Sequence, residues 1–181
     1  KVFCLMGDGD CSTIGGNHLI HAARRNVNVT AIMSNNFNYG MTGGQYSGTT
    51  PEGSITSTSR YGLVEDGFDI CKLVEACGAP YVARTTAYDV LELQKMIIEA
   101  TEKKGFAFID VLSACPTHYG RLNKMGTPAQ QMLKIKENTI PEDIIYLAVA
   151  ESSLAVNAVS PQGAAGIWQF MPATGKEYGL E

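Results

Sequence analysis

An aspartate stands between two glycines close to the start of the chain, where Gly7, Asp8 and Gly9 open the segment GDGDCSTIGG. The segment follows an apolar run and precedes a helical pattern, and a turn at a helix N-terminus is a common phosphate site. A carboxylate directed at a diphosphate would repel it unless a cation lies between them. Magnesium suits this position because it prefers hard oxygen ligands and bridges carboxylates to phosphate oxygens. These residue types therefore predict a site for magnesium and a diphosphate.

Two better-known phosphate loops are excluded by their own requirements. The dinucleotide-binding fingerprint needs a third glycine at the position of Ser12, and a later acidic residue to bind the ribose, which is also missing. The P-loop needs a lysine after its last glycine, and this segment has none. A carboxylate within the loop, used together with a cation, is the remaining interpretation.

A further oxygen ligand is expected from the segment SNNFNYG, which contains Asn36 and Asn38 and follows the second predicted strand. One helix and one strand separate this segment from Asp8. Because the loops that follow neighbouring parallel strands lie at the same edge of a sheet, we expect the two segments to meet there.

Short apolar runs alternate with helical patterns along the first 140 residues. Continuous apolar strands alternating with helices are typical of an α/β fold, a parallel sheet with helices on both faces. The stretch Asn35–Ser59 is rich in Gly, Ser and Thr and has no periodicity, and such a long loop is usually functional. The predicted strands are VFCLM, which we expect to be buried, VTAIMS, YVART and FAFIDVL; the predicted helices are GGNHLIHAARRN, DGFDICKLVEAC, AYDVLELQKMIIEATEKKG and TPAQQMLKIKEN.

Composition excludes several classes of function. The chain of 181 residues has a net charge of −4 with scattered Lys and Arg, so we expect no nucleic-acid partner. No apolar run approaches the roughly 20 residues of a membrane-spanning helix, and we expect no membrane association. The 5 cysteines are odd in number and form no C-x-x-C pair, which favours a reducing, cytoplasmic location. Because the chain opens without Met inside an apolar run, we expect its beginning to lie elsewhere.

The pattern changes at Ile140–Pro141. The segment PEDIIYLAVAESS starts with proline and two acidic residues, which is a strong helix start, and no strand pattern follows it. We therefore predict two domains, residues 1–140 and residues 141–181.

Three blocks in the first domain resemble, in order, the β subunit of 2-oxoacid:ferredoxin oxidoreductases, and most closely the 2-oxoglutarate type. They are GDGDCSTIGGNHLIHAARRN, NNFNYGMTGGQYSGTTP and CPTHYGRLNKMG. The resemblance covers residues 1–140 and implies a thiamine diphosphate-binding fold. By this resemblance the side chains of Asp8 and Asn36 and the carbonyl of Asn38 ligate Mg²⁺. It also implies cofactor contacts from Gly7, Gly9, Asp10, Cys11 and Ser12, and from the loop Tyr39, Gly40, Met41 and Thr42 over the thiazolium ring.

The same resemblance implies oxidative decarboxylation of a 2-oxo acid to an acyl-coenzyme A, with electrons passing to ferredoxin through a [4Fe-4S] cluster. Cys115 matches one cluster ligand of the intact protein. The other ligands would precede Lys1, so we do not expect the cluster in this fragment. A glutamate that activates the cofactor would come from the α subunit, so we do not expect catalysis by this chain alone.

The second domain resembles the start of the catalytic domain of lytic transglycosylases, through LAVAESSLAVNAVSPQGAAGIWQFMPATGKEYGL. The single catalytic acid of that family maps onto Glu151. Ile144, Leu147 and Ala148 share a helix face with Glu151, and this apolar surrounding together with the helix C-terminus favours a neutral carboxyl group. Such a group can donate a proton to a glycosidic oxygen. We expect a short, truncated α-helical segment of lysozyme-like type.

Two alternatives to an oxidoreductase subunit remain open. The chain could act as a peptidoglycan lytic transglycosylase with an unrelated N-terminal extension, or it could be a non-functional hybrid reading frame. The two resemblances point to different compartments, the reducing cytoplasm and the cell envelope. The sequence does not identify the 2-oxo acid.

Overall fold

A computed structural model describes residues 1–138, and a parallel sheet forms the centre of this part. Its strands lie in the order β1–β2–β4–β3, and each neighbouring pair is parallel. The bounds are β1 (Val2–Gly7), β2 (Val29–Asn35), β3 (Tyr81–Thr86) and β4 (Ala107–Leu112). Each strand lies where the sequence predicts one, and the predicted α/β fold class is confirmed.

Helices connect the strands and follow the last of them. They are a π-helix (Gly9–Ile14) after β1, α1 (Gly16–Arg24), α2 (Ile70–Ala76), α3 (Val90–Glu102), α4 (Tyr119–Leu122) and α5 (Pro128–Glu137). Asp69 caps α2 by accepting a hydrogen bond from the Lys72 amide, and Thr127 with Gln130 forms a capping box on α5. The π-helix Gly9–Ile14 and the short helix α4 have no counterpart among the predicted elements.

Alternate residues of the central strands face opposite layers of helices. Met33 and Phe108 pack with α1 and α2 on one face. Ile32 and Ile109 pack with α3 on the other face. The period of two along an extended chain produces this division, and it explains why the predicted strands are apolar without interruption.

The prediction that VFCLM is a buried strand is wrong. β1 lies at the edge of the sheet, and the side chains of Phe3 and Leu5 are 45% and 78% exposed. Their partners in the register are Thr30 and Ile32, which face α3. Since α3 packs on β3 and β4, it leaves this face of β1 uncovered within the described residues.

The contacts within the chain divide it into two units, Lys1–Thr139 and Ile140–Glu181. The predicted helical segment after residue 140, including Glu151, lies outside the described residues, and the predicted domain boundary stays a prediction. Within residues 1–138, no helix is long and apolar enough to cross a membrane.

Candidate functional site

The segments that carry the predicted ligands meet at the carboxyl edge of the sheet. Gly7 at the end of β1 lies opposite Ser34 near the end of β2. The chain continues from these positions into Asp8 and Asn36, and the Asn36 amide donates a hydrogen bond to Asp8 Oδ1 at 3.3 Å. Parallel pairing of β1 and β2 thus brings together residues that are far apart in the sequence.

The carboxylate of Asp8 is 1% exposed and is held from two sides. Ser47 Oγ and Thr49 Oγ1 donate to Asp8 Oδ2 at 2.5 and 3.1 Å, while Asn36 approaches Oδ1. Burial raises the pKa of Asp8 above its ordinary value, although the hydrogen bonds from Ser47, Asn36 and Thr49 act in the opposite direction. A nearby cation would offset this cost of burying the charge.

Ser47 and Thr49 are absent from the predicted site residues. Both belong to the Gly, Ser and Thr-rich loop predicted to be functional, and the signal was present in the segment QYSGTTP. Their roles depend on how the loop returns to Asp8, which no local pattern in the sequence determines.

Three oxygen atoms surround the side-chain oxygen of Asn36. This atom lies 2.7 Å from Asn38 O, 2.9 Å from Asn38 Oδ1 and 3.2 Å from Asp8 Oδ1. Turned over, the amide would instead place its nitrogen there and donate to the same oxygens. Adjacent ligands of an octahedral Mg²⁺ ion, each about 2.1 Å from the metal, lie about 3 Å apart. The oxygens therefore have the spacing and the chemistry of a magnesium ligand set.

A cavity of about 330 Å³ opens beside these oxygens, and each of its lining residues is a predicted site residue. The lining consists of Gly7, Asp8, Gly9, Asp10, Asn36, Asn38, Tyr39, Gly40, Met41 and Thr42.

Two predicted contacts, Cys11 and Ser12, do not line this cavity. Cys11 is 1% exposed and packs in the core between the sheet, α1 and α2, where burial raises the pKa of its thiol to about 12. Ser12 Oγ donates to the Asp8 carbonyl oxygen at 2.5 Å. Their side chains stabilise the turn, so a contact with a diphosphate would come from their backbone.

Tyr39 packs directly on the turn at Gly9. Its hydroxyl donates to the Gly9 carbonyl oxygen at 2.9 Å. A Cβ atom at position 9 would lie 2.3 Å from Tyr39 Cε1, so any side chain here would displace the ring. The glycine therefore allows the close approach of the aromatic ring.

The segment after Tyr39 is a compact turn closed by backbone hydrogen bonds. Tyr39 N donates to Gln45 O at 2.9 Å, and Gly44 N donates to Tyr39 O at 2.8 Å. Thr42 Oγ1 donates to Gln45 Oε1 at 2.7 Å, and Met41 is 99% exposed at the tip of the turn. An exposed apolar side chain at the entrance of a polar cavity is available to contact a ligand or a partner protein.

Cys115 lies on the other side of the Asn38 side chain, after β4. Asn38 Nδ2 donates to Cys115 Sγ at 3.5 Å. Burial acts to raise the pKa of the thiol, but hydrogen bonds from the backbone at Tyr119 and His118 and from the Asn38 and Thr117 side chains lower it below its ordinary value. Within residues 1–138, no three His, Cys, Asp or Glu side chains lie close enough together to bind a metal ion.

Comparison with known protein families identifies the domain that contains this cavity. The family described as "Thiamine pyrophosphate enzyme, C-terminal TPP binding domain" matches residues 1–111, more than half of the chain. The chain belongs to the thiamine pyrophosphate enzyme family. The cavity and the oxygen atoms beside it thus lie in a thiamine pyrophosphate-binding domain.

Characterised relatives of this thiamine pyrophosphate domain are oxidoreductase subunits. The chain is 52% identical to the 2-oxoglutarate synthase subunit KorB of Methanothermobacter marburgensis over 140 residues, which cover 77% of this chain and 49% of that protein. It is 35% identical to the 2-oxoglutarate oxidoreductase subunit KorB of Mycobacterium tuberculosis over 155 residues, 83% of this chain and 40% of that protein. The chain thus spans about half the length of the curated relatives it matches.

A solved structure shares the fold. It is the 2-oxoglutarate:ferredoxin oxidoreductase from Magnetococcus marinus with 2-oxoglutarate, coenzyme A and succinyl-CoA bound. The TM-score is 0.60 and the identity 38%, over 63% of this chain and 40% of that one. The resemblance predicted from the three sequence blocks is confirmed.

The end of the chain matches a different family. The "Transglycosylase SLT domain" matches residues 129–181. This match includes Glu151 and confirms the second resemblance.

Proposed function

We propose that residues 1–140 bind thiamine diphosphate and Mg²⁺ as part of the β subunit of a 2-oxoacid:ferredoxin oxidoreductase, and that the substrate is 2-oxoglutarate. The observation that supports this most directly is the cluster of oxygens from Asp8, Asn36 and Asn38 at 2.7–3.2 Å beside a cavity. Domain boundaries at residue 140 are part of the proposal.

Asp8, Asn36 and Asn38 are the proposed magnesium ligands. Ser47 and Thr49 hold one carboxylate oxygen of Asp8, which leaves the other directed at the two asparagines. One charged and two neutral oxygen donors are the ligand types that Mg²⁺ takes together with phosphate oxygens. These residues would hold the ion where it offsets the charge of the diphosphate.

The remaining lining residues, Gly7, Gly9, Asp10, Tyr39, Gly40, Met41 and Thr42, are the proposed cofactor contacts, with the backbone of Cys11 and Ser12. When bound, thiamine diphosphate supplies the carbanion chemistry that decarboxylates a 2-oxo acid. Tyr39 fixes the turn at Gly9, and the absence of a side chain there keeps the backbone open to a diphosphate.

Cys115 is the proposed iron–sulfur ligand of the complete protein. Its hydrogen bonds favour the thiolate, which is the form that binds iron. The proposed partners are the α subunit, ferredoxin, the 2-oxo acid and coenzyme A, in line with the names of the relatives and the ligands of the Magnetococcus structure.

Calorimetry with Asp8→Asn tests this function. We expect wild-type chain to bind thiamine diphosphate in the presence of Mg²⁺ and to lose binding when a chelator is added. Since loss of a residue that merely supports a ligand weakens metal binding 10 to 100-fold, loss of the ligand charge itself should weaken it by at least about 100-fold. The matched control is Asp66→Asn, an exposed carboxylate. Equal binding by wild type and Asp8→Asn, or equal binding without Mg²⁺, would contradict the proposal.

A second candidate function, peptidoglycan cleavage with Glu151 as the acid, is supported by the match of residues 129–181 to the transglycosylase family. Clearing of a murein gel by the purified chain measures it directly. Under our proposal no clearing occurs. Clearing that is lost in Glu151→Gln and retained in Glu142→Gln would establish the second function instead.

A further inference from the structure

A partly buried ion pair lies next to the strand that leads to the proposed magnesium ligands: the Asp110 side chain is 0% exposed and the Arg84 side chain 34% exposed. Asp110, at 0% exposure in the central strand β4, accepts a hydrogen bond on Oδ2 from Arg84 Nε at 2.8 Å. Arg84 Nη2 also contacts Asp69 Oδ1 at 2.7 Å. Buried ion pairs contribute little to stability compared with apolar residues of the same volume. A role in positioning neighbouring groups is therefore the better explanation for this pair.

The sheet register connects Asp110 to the site. Asp110 lies opposite Met33 on β2, so Asn35, two residues further on, points to the same face of the sheet. Diagonal neighbours of this kind are within reach of polar side chains. Asn35 is 3% exposed, and burial raises the pKa of Asp110 although Arg84 and the Asn35 side chain act in the opposite direction. Asp110 Oδ1 is buried and has no hydrogen-bond partner among the described residues.

The side-chain oxygen of Asn35 accepts hydrogen bonds from residues that belong to the site or adjoin it. Asn35 Oδ1 accepts from Thr49 Oγ1 at 2.9 Å and from the Phe37 amide at 3.3 Å. Thr49 Oγ1 also lies 3.1 Å from Asp8 Oδ2, so its single proton is shared between the Asn35 and Asp8 oxygens. The Phe37 bond starts the turn that carries Asn36. An amide has a donor end and an acceptor end, so an anion beside the donor end fixes the acceptor end toward Thr49 and Phe37.

We propose that Asp110, held by Arg84, is a positioning residue that orients the Asn35 amide and thereby holds Asp8 and Asn36 in place to bind Mg²⁺. This inference rests on the proposed function. Without the negative charge, the Asn35 amide is free to turn over. Its nitrogen would then face the Phe37 amide, two donors would oppose each other, and the turn bearing the asparagines would loosen.

The test is a Mg²⁺ titration of the full chain at saturating thiamine diphosphate, by calorimetry, for Asp110→Asn. We expect the Kd for Mg²⁺ to rise about 10-fold, as for other residues that orient metal ligands. In an Asn35→Ala background the same substitution should change Kd by less than about 2-fold, because coupled residues are not additive. The matched control is Asp69→Asn, which removes the other partner of Arg84, keeps a good helix cap and should leave the Kd unchanged.

Because Asp110→Asn leaves the partly exposed Arg84 guanidinium with Asp69 as its remaining carboxylate partner, the paired variant Arg84→Gln, Asp110→Asn is measured in parallel. A folded variant of either kind with wild-type Mg²⁺ affinity overturns the inference, as does additivity with Asn35→Ala. Loss of folding in both variants also overturns it, since the pair would then serve the core alone. Failure of wild-type chain to bind thiamine diphosphate with Mg²⁺ would instead refute the proposed function.

Discussion

Several polar residues near the site are buried where apolar residues would stabilise the fold more. Asp8 and Asp110 are both almost fully buried, and burial raises the pKa of each. Hydrogen bonds from Ser47 and Thr49 lower the cost of burying Asp8 without removing it. Such costs are expected at residues selected for binding, because stability alone would replace them.

The close packing of Tyr39 on Gly9 leads to a prediction about substitution of this glycine. Gly9→Ala would place a Cβ 2.3 Å from the Tyr39 ring, so we expect the ring to be displaced from the turn and thiamine diphosphate binding to weaken by at least about 10-fold, about 1.4 kcal/mol. Calorimetry in the presence of Mg²⁺ measures the change. The matched control is Gly16→Ala, whose Cβ would meet no heavy atom within 4 Å. Equal losses in the two variants would show that space at Gly9 is not the cause.

At the scale of elements, the site depends on where strands end. β1, β2 and β4 are neighbours, and the loops after them carry Asp8, Asn36 and Cys115. Rigid strands fix the start of each loop, whereas loop residues provide the ligands. This division is general among α/β proteins, in which ligands bind beyond the carboxyl ends of the strands.

The ion pair between α5 and the residue before α3 leads to a prediction of how stability depends on pH. Lys136, in α5, has its Nζ 2.6 Å from Oδ1 of Asp89, which is the residue before α3. Hydrogen bonds from Lys136 and Thr86 lower the pKa of Asp89 below its ordinary 3.8. The folded chain therefore binds fewer protons than the unfolded chain, so this stabilisation is present above pH 3.8 and is lost as the pH falls through the folded-state pKa.

The measurement is the Tm of wild type and of Asp89→Asn between neutral and acidic pH. We expect wild type to be more stable at neutral pH and the difference to shrink below about pH 4. Lys136→Met should show the same trend, since it removes the partner charge. A difference in Tm that stays constant over this range would refute the assignment.

For the whole molecule, the exposed edge of the sheet is the most unusual feature. Within residues 1–138, β1 offers apolar side chains and an unpaired backbone edge, a combination that promotes association with other chains. The chain also spans about half the length of its curated relatives. Two families match its two ends, residues 1–111 and residues 129–181.

A substitution in β1 tests the role of this edge. Leu5→Lys places a charge on a side chain that is 78% exposed, so we expect reduced self-association with little change in Tm. Leu19→Lys, at a position 6% exposed in the core, should unfold the chain. Sedimentation measures the first effect and circular dichroism the second. A large loss of Tm in Leu5→Lys would mean that this side chain is covered.

The sequence by itself predicted the order of the strands, because their apolar patterns lie within short segments, and a polar site where neighbouring parallel strands end. The class of cofactor and the ligand trio Asp8, Asn36 and Asn38 were implied by the resemblance of three sequence blocks to a known family. The match of residues 1–111 to a thiamine pyrophosphate family confirms the cofactor class, while the ligand roles stay a prediction.

Only the tertiary structure decided how the ligands are supported. Ser47 and Thr49 reach Asp8 through a loop without periodicity, and Asp110 lies diagonally opposite Asn35 on the neighbouring strand. The exposure of β1 depends on how far α3 extends across the sheet. Each of these contacts joins residues distant in the sequence, and its geometry depends on the path of the entire chain, which local patterns do not contain.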